Sequence, residues 1–269
     1  MSWWDDAVHR AVAEVVLAGA LAGFVGVHIV VRRLSFFTMA LTHATFPGVV
    51  IAALFGVDLL LGGMATGVLV VLGVAALTRR PGQNAAAATG VVLSAGFALG
   101  AGLVATQNSF SRDLSSYLVG SILTVTTRDL VITGGVLTAV VAILSLSARP
   151  LLYTGFDPAA ATAAGVPAGA WTLLLLIIIE IAVVTLVPAV GTILAISLLV
   201  APAAAARLWS TRLPVITLLA VLFAVASGLL GLYASTHLNI AAGASIALAA
   251  TTILVLSAVL RPFFKERNS

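Results

Sequence analysis

Met39 and His43 are the residues of this sequence whose types and spacing are best suited to chemistry. They lie four residues apart, so in a helix their side chains share one face, one turn apart. Both fall in an apolar segment, and hydrocarbon cannot solvate an imidazole, which therefore needs a polar partner, a cavity or a function. An imidazole can bind transition metals, whereas a thioether is neutral and soft, a poor ligand for manganese and a weak one for zinc. The alternative is a structural histidine bonded to a neighbouring helix carbonyl, or to Thr42 or Thr45.

Glu180 is a second ionisable residue inside an apolar run, Leu176-Ile177-Ile178-Ile179-Glu180-Ile181. A lone carboxylate at membrane depth costs a few kcal/mol. We expect it to face a cavity, to pair with His28 or an arginine, or to be protonated. The alternative is a largely neutral glutamate bonded to a neighbouring helix. His28 itself is expected to pack or to lie at the interface, and Asp58 to be a solvated loop residue.

The composition determines the class of protein that must position these groups. Apolar residues make up 61% of the 269, only 8% are charged, and the mean hydropathy is +1.21. Soluble domains average about 45–50% apolar and about 25% charged residues. The sequence therefore predicts an all-α, polytopic membrane protein forming one transmembrane domain over residues 1–269. The absence of cysteine excludes disulfides, thiolate metal sites and thiol catalysis.

Nine segments are apolar over about the 20 residues that a membrane helix needs. They are 11–31, 37–56, 59–78, 85–105, 130–148, 171–189, 191–208, 214–235 and 241–260. Only Pro188-Ala189-Val190-Gly191 separates the sixth segment from the seventh. Eight spans would result if one of the segments is re-entrant or stops short of the far surface.

Basic residues orient these spans. Ten fall on one side and three on the other, so the positive-inside rule predicts a cytoplasmic C-terminus and an external N-terminus. The first side carries Arg32, Arg33, Arg79, Arg80, Arg149, Arg207, Arg212, Arg261, Lys265 and Arg267, and the other carries Arg10, Arg112 and Arg128. The start, Met1-Ser2-Trp3-Trp4-Asp5-Asp6, is acidic and aromatic, unlike a cleaved signal peptide, so we expect the first span to be retained.

Two connections are longer than the others. Residues 149–170, cytoplasmic on this topology, are predicted to hold a helix of about two turns, with Asp157 as N-cap and Gly165 ending it. Small residues along that helix would let it approach a partner closely; the alternative is a capped connector with no partner. Residues 106–129 are external and contain an apolar stretch too short to span, expected to lie at the external mouth.

The run from Arg32 to Gly48, RRLSFFTMALTHATFPG, resembles a signature of bacterial ABC-transporter permeases that import zinc, manganese or iron. In that family it usually reads RR-x-x-(F/L)-x-G-D-A-L-S-H-A-x-L-P-G, and Met39 stands at the position of the aspartate. The resemblance implies that Met39 and His43 face the translocation pathway as transient metal ligands. Without the aspartate, another acid must supply charge, and Glu180 is the candidate; otherwise the cargo is not a naked hard cation.

Three further stretches resemble the same family. Asp157, Ala161, Gly165 and Val166 match D-x-x-x-A-x-x-x-G-(V/I), which implies a coupling helix that docks on an ATPase subunit. Residues 190–208 align without a gap to V-G-x-L-L-V-S-A-L-L-V-I-P-A-A-x-A-R-L. The external segment resembles the gate helix of iron–siderophore permeases through Tyr117, Gly120 and Ser121.

The end of the eighth segment resembles the family more loosely, because Asn239 and Ala241 replace an aspartate and a proline. His237 and Asn239 are expected to line the entrance or to contact a binding protein. Together the resemblance spans about residues 10–260 and implies a fold similar to vitamin and siderophore permeases.

The sequence contains no G-x-x-x-x-G-K-(S/T) motif, so any ATP hydrolysis is expected on a separate subunit. The resemblance implies a homodimer with a cytoplasmic ABC ATPase and an extracytoplasmic solute-binding protein, in a bacterial plasma membrane. No cofactor is expected, since the metal is cargo and ATP belongs to the partner. Two alternatives remain open: the same permease carrying a chelated metal, and a proton-coupled secondary transporter using Glu180.

Overall fold

The computed structural model describes residues 7–78, 84–105, 122–238 and 240–265, which are helical apart from short connections. The predicted all-α class is confirmed. The helices are α1 (Ala7–Val31), α2 (Ser35–Ala44), α3 (Phe46–Leu54), α4 (Leu59–Thr78), α5 (Ala85–Ala105), α6 (Thr127–Leu146), α7 (Ala148–Phe156), α8 (Pro158–Ala163), α9 (Ala168–Val190), α10 (Thr192–Trp209), α11 (Leu213–Leu238) and α12 (Ala242–Lys265). A short 3₁₀ turn, Ile122–Thr124, precedes α6.

Each of the nine apolar segments predicted from sequence coincides with a helix or a helix pair. Within the described ranges, eight stretches are long and apolar enough to cross a membrane, and α2 and α3 together form one of them, Ser35–Leu54. The ninth segment is α10, which is shorter at 18 residues. Gly191 separates it from α9 with a φ of 84°, a left-handed conformation that suits glycine.

The structure corrects three of the predicted boundaries. The span expected over 37–56 is broken at Thr45, where Pro47 enters the first turn of α3 and cannot donate a backbone hydrogen bond. The connection expected over 106–129 is shorter, because α6 already begins at Thr127. There Thr126 and Asp129 form a capping box: the Thr126 N–H donates to Asp129 Oδ2 at 2.9 Å.

The third correction concerns the connection expected over 149–170. It holds two helices, α7 and α8, instead of one, and its last residues belong to α9. Helix α7 was not predicted from the sequence. Leu151 and Thr154 on its buried face secure it, while Tyr153 and Phe156 are exposed.

The chain divides into two compact units. The first comprises residues 1–35, 115–137 and 185–269, and the second comprises residues 36–114 and 138–184. In the first unit, α1 packs closely on α10 and α11. A Cβ added at Gly23 would lie 2.5 Å from the Val221 Cα, and one added at Gly26 would overlap the Leu199 carbonyl. Small residues allow such close approach of membrane helices.

Candidate metal site

The candidate site begins at the junction of α2 and α3 in the second unit. Pro47 lies four residues after His43 and has no N–H to donate to the His43 carbonyl, which helps to end α2. The threonines on either side of His43 bond to their own helix. Thr42 Oγ1 donates to the Met39 carbonyl at 2.8 Å, and Thr45 Oγ1 donates to the Leu41 carbonyl at 3.0 Å.

Met39 and His43 share one accessible face of this helix pair. Both side chains are half-buried, whereas every other residue between 37 and 50 is buried. The His43 ring makes no hydrogen bond within the described part of the chain; its recorded neighbour is Phe97. This arrangement differs from the alternative of a structural histidine bonded to a carbonyl or a threonine, and it leaves the imidazole nitrogens available to a ligand.

Phe97 of α5 packs against one side of the His43 ring. The two rings meet edge-to-face with centroids 6.1 Å apart, and Phe97 also stacks on Phe46 with centroids 6.3 Å apart. Close packing of α5 on the junction makes this possible, since a Cβ at Gly96 would lie 3.0 Å from the Ala44 Cα. The aromatic contact helps to orient the imidazole.

Glu180 lies elsewhere in the second unit, against α4. A Cβ added at Gly67 would overlap the Glu180 carboxylate, so the acid lies directly on the backbone of α4. Glu180 is completely buried, and neither of its oxygens has a hydrogen-bond partner among the described residues. Such an environment favours the neutral acid over an isolated carboxylate.

Two adjacent residues of α4 contact α3 and the Glu180 carboxylate. Thr66 faces α3, where a Cβ at Gly48 would overlap its hydroxyl, and the next residue, Gly67, carries the contact with Glu180. Glu180 and the helix that continues from His43 therefore pack on neighbouring faces of α4. The described residues include no cluster of three histidine, aspartate or glutamate side chains. Thus Met39 and His43 lie on one face of α2, whereas Glu180 packs separately, against α4.

The residues predicted to form the coupling helix adopt a compact, capped structure. The Asp157 carboxylate accepts a hydrogen bond from the Ala160 N–H at 2.9 Å. At the other end, the Val166 N–H donates to the Ala161 carbonyl at 2.9 Å and Gly165 has a φ of 81°, a Schellman ending. Ala161 is completely buried while its neighbours on α8 are exposed.

Several predicted site residues lie outside the described residues. These are the gate residues Tyr117, Gly120 and Ser121, together with Asn239. His237 is described, at the end of α11, and its ring packs at a tilt of 50° against Tyr233, with centroids 4.2 Å apart. His28 lies in α1, in the first unit, and is half-buried.

Glu14 of α1 is a second buried acid, one that was not predicted from the sequence. It is completely buried, and its Oε1 accepts a hydrogen bond from Thr133 Oγ1 of α6 at 2.8 Å. Its Oε2 has no hydrogen-bond partner among the described residues. A carboxylate inside an apolar segment was the signal that could have found it.

Helices of this number, length and composition define a multi-pass, all-helical membrane protein. The chain belongs to the ABC 3 transport family, whose model matches residues 5–261. It is 34% identical over 255 residues to the manganese transport system membrane protein MntC of Halalkalibacterium halodurans, covering 95% of this chain and 87% of the relative. It is 32% identical over 262 residues to the manganese import system permease protein ScaB of Streptococcus parasanguinis, covering 97% of this chain and 92% of the relative.

Solved structures agree with this assignment. PsaBC from Streptococcus pneumoniae, determined in complex with Fab, matches with a TM-score of 0.84 and 32% identity, covering 93% of this chain and 90% of that one. An inward-facing putative metal-chelate type ABC transporter shares the fold, with a TM-score of 0.72 at 16% identity, covering 93% of this chain and 85% of that one. The chain is therefore the membrane-spanning permease of an ABC transporter, and the family predicted from its motifs is confirmed.

Proposed function

We propose that this chain is the permease of an ATP-driven importer for a divalent transition metal, with manganese the first candidate. The observation that carries the proposal is the shared open face of Met39 and His43 in an otherwise buried helix pair. The manganese names of MntC and ScaB, both more than 30% identical to this chain, support the choice of metal.

In this proposal, Met39 and His43 line the translocation pathway and bind the ion in transit. An imidazole nitrogen and a thioether sulfur are few ligands, and soft ones, for a hard ion such as Mn²⁺. Weak binding suits a permease, because an ion that binds too tightly cannot leave. Glu180 would supply the missing negative charge if rearrangement of α4 and α9 uncovers it.

Membership of the family supports the proposed assembly. Two copies of the chain would enclose the pathway, and a cytoplasmic ABC ATPase would dock on α8 through the exposed Asp157 and Gly165 and the partly exposed Val166, while the buried Ala161 would fix α8 on its own chain. An extracytoplasmic binding protein would deliver the metal at the external side, where Tyr117, Gly120 and Ser121 would form the gate. The C-terminus would lie in the cytoplasm and the N-terminus outside, which the excess of basic residues on one side of the spans supports.

Replacing His43 with alanine tests the proposal. Cells that depend on this transporter should lose most manganese uptake, while the amount of protein in the membrane stays normal, because the half-buried ring makes no hydrogen bond within the described part of the chain. The matched control is Phe36→Ala, which trims an exposed ring near the start of α2 and should leave uptake unchanged. Normal uptake by a well-inserted His43→Ala protein would overturn the assignment.

A chelated metal is the second candidate cargo, and Met39 is the observation that favours it. A chelate brings its own ligands and does not need the carboxylate that Met39 replaces. Competition of radiolabelled manganese uptake by free Mn²⁺, Zn²⁺ and Fe²⁺, compared with the same ions held by a chelator, distinguishes the two cargoes. A bare-ion importer is inhibited by the free ions and unaffected by the chelates.

A further inference from the structure

Arginines surround one end of the first unit, where α1 and α10 finish and α11 begins. Arg207 Nη1 donates to the Val30 carbonyl at 3.3 Å and so joins the ends of α10 and α1. Arg32 and Arg33 directly follow α1, and Arg212 directly precedes α11. Four guanidinium groups are therefore carried by one small area, the arginine end of the first unit.

Arg33 adopts a backbone conformation that normally favours glycine. Its φ is 57°, and it is the one non-glycine residue with a positive φ among the described residues. It occupies the left-handed position of a Schellman ending: the Leu34 N–H donates to the Ile29 carbonyl at 2.8 Å and the Arg33 N–H donates to the Val30 carbonyl at 3.3 Å. A glycine would form this turn with less strain. What arginine adds at this position is its exposed guanidinium group, which glycine lacks.

The first unit supplies no acid to this end among its described residues. Its described acids are Glu14 and Asp129. Glu14 precedes the end of α1 by 17 residues, or about 25 Å along the helix. Asp129 lies one turn from Thr133, which bonds to Glu14, so both acids belong to the opposite end. We expect the anion that balances Arg33 and Arg207 to come from outside the described residues of this unit.

Apolar surface adjoins the arginines on the membrane side. A buried cluster formed by α1, α10 and α11 lies below them, with partly buried hydrophobic residues packed against it: Val30, Leu213, Leu219 and Phe223. Along α11 the apolar side chains Val215, Leu218 and Leu222 are 41%, 61% and 53% exposed. Trp209, at the end of α10, is 38% exposed, as is typical of an aromatic residue at a membrane interface.

We infer that the arginine end of the first unit binds an anionic phospholipid. The phosphate would be held by Arg33 and Arg207, since guanidinium groups match phosphate oxygens in pairs. An acyl chain would lie along the exposed face of α11. A lipid is the ligand class that carries an anion and a long apolar chain together, and basic pockets between membrane helices are suited to such headgroups. An acidic protein surface would engage the arginines but not Leu218 and Leu222, which extend into the span.

Thermal unfolding of the full-length protein tests the inference, in nanodiscs of phosphatidylcholine alone or mixed with phosphatidylglycerol. Phosphatidylglycerol should raise the unfolding temperature of the wild-type protein. Arg33→Gly and Arg207→Gln should each lose at least half of that rise. In phosphatidylcholine alone, Arg33→Gly should unfold no earlier than wild type, because glycine accepts the left-handed turn without strain.

Arg128→Gln is the matched control, since it removes one positive charge at the opposite end of the unit, in the first turn of α6. The Arg128→Gln variant should show the full rise in unfolding temperature that phosphatidylglycerol gives the wild-type protein. An equal loss in Arg128→Gln, or a full rise in Arg33→Gly, overturns the inference. Two further results would also overturn the inference. If inorganic phosphate reproduces the rise in unfolding temperature, the ligand is a soluble anion. If the variants lose ATPase assembly while their response to lipid is unchanged, the arginines bind a protein partner. His43→Ala should keep the rise, so the lipid site and the metal pathway can fail independently.

Discussion

Met39 and His43 lie one turn apart on α2, and both side chains are half-buried, whereas every other residue from 37 to 50 is buried. The family resemblance puts an aspartate where Met39 stands, so the geometry of the ligand pair is retained while its charge is lost. A carboxylate at that position would place an anionic oxygen on the same face as the imidazole. The chemical identity of residue 39 is therefore the most direct probe of the cargo.

Met39→Asp should preserve or raise manganese uptake if the cargo is a bare dication, because oxygen ligands suit a hard ion better than a thioether. Uptake of manganese, zinc and iron, normalised to protein in the membrane, measures this. Met64→Asp is the control, as it makes the same change at a half-buried methionine of α4. It should give no gain in uptake.

The same prediction has a second part at Glu180. If a bare ion uses Glu180 for charge compensation, Glu180→Gln should reduce uptake severely while leaving the fold intact, since the amide has nearly the same shape. A severe defect in Met39→Asp together with a harmless Glu180→Gln would contradict both parts and would favour a cargo that carries its own ligands.

The positions of the membrane helices could be predicted from sequence because apolar length alone determines them. The break between α2 and α3 was missed, although Pro47 was its signal, since the apolar run continues through it. Helix α7 was missed for a different reason. It is nine residues long and becomes a helix through burial of Leu151 and Thr154, a tertiary contact that no local pattern reports.

Less of the site could be predicted. Spacing placed Met39 and His43 on one face, but which face opens depends on how α5 packs, through Gly96 and Phe97. The caps at Asp157 and Gly165 were predictable because they are local. The Glu14–Thr133 bond was not, since its partners are 119 residues apart in sequence.

Gly67 and Glu180 provide a prediction about packing. Gly67→Ala should destabilise the protein by about 1–3 kcal/mol, because the new methyl group overlaps a buried carboxylate. Adding Glu180→Ala should restore most of the loss, since it removes the group that the methyl group meets. Resistance to unfolding in SDS measures both. Gly73→Ala, on the same helix with open space around its Cβ, should be harmless or slightly stabilising, and an equally harmful Gly73→Ala would refute the contact.

Glu14 and Thr133 give a prediction for the first unit. Thr133→Val should cost about 0.6 kcal/mol, the average for hydrogen bonds between membrane helices, and no more than about 1.7 kcal/mol, the largest value found for them. Glu14→Gln should cost less, because the amide oxygen still accepts the hydroxyl proton. The Thr133→Val change should have almost no effect in a Glu14→Ala background, since the hydrogen bond is already absent. Additive losses in the double variant would show that the two side chains do not interact.

The last prediction concerns α8 and separates its fold from its proposed docking. Gly165→Ala should destabilise the local turn by about 1–2 kcal/mol, because any residue with a Cβ is strained at a φ of 81°. Asn accepts that conformation better, so Gly165→Asn should remain folded and coupled. A Cβ at Gly165 meets nothing within 4 Å in this chain, so the bulk of a large side chain, beyond the backbone strain that alanine already brings, acts on a partner. Gly165→Trp should therefore insert normally yet abolish metal-dependent ATP hydrolysis by the assembled transporter, beyond the loss seen in Gly165→Ala. Full transport by Gly165→Trp would exclude α8 as the ATPase contact.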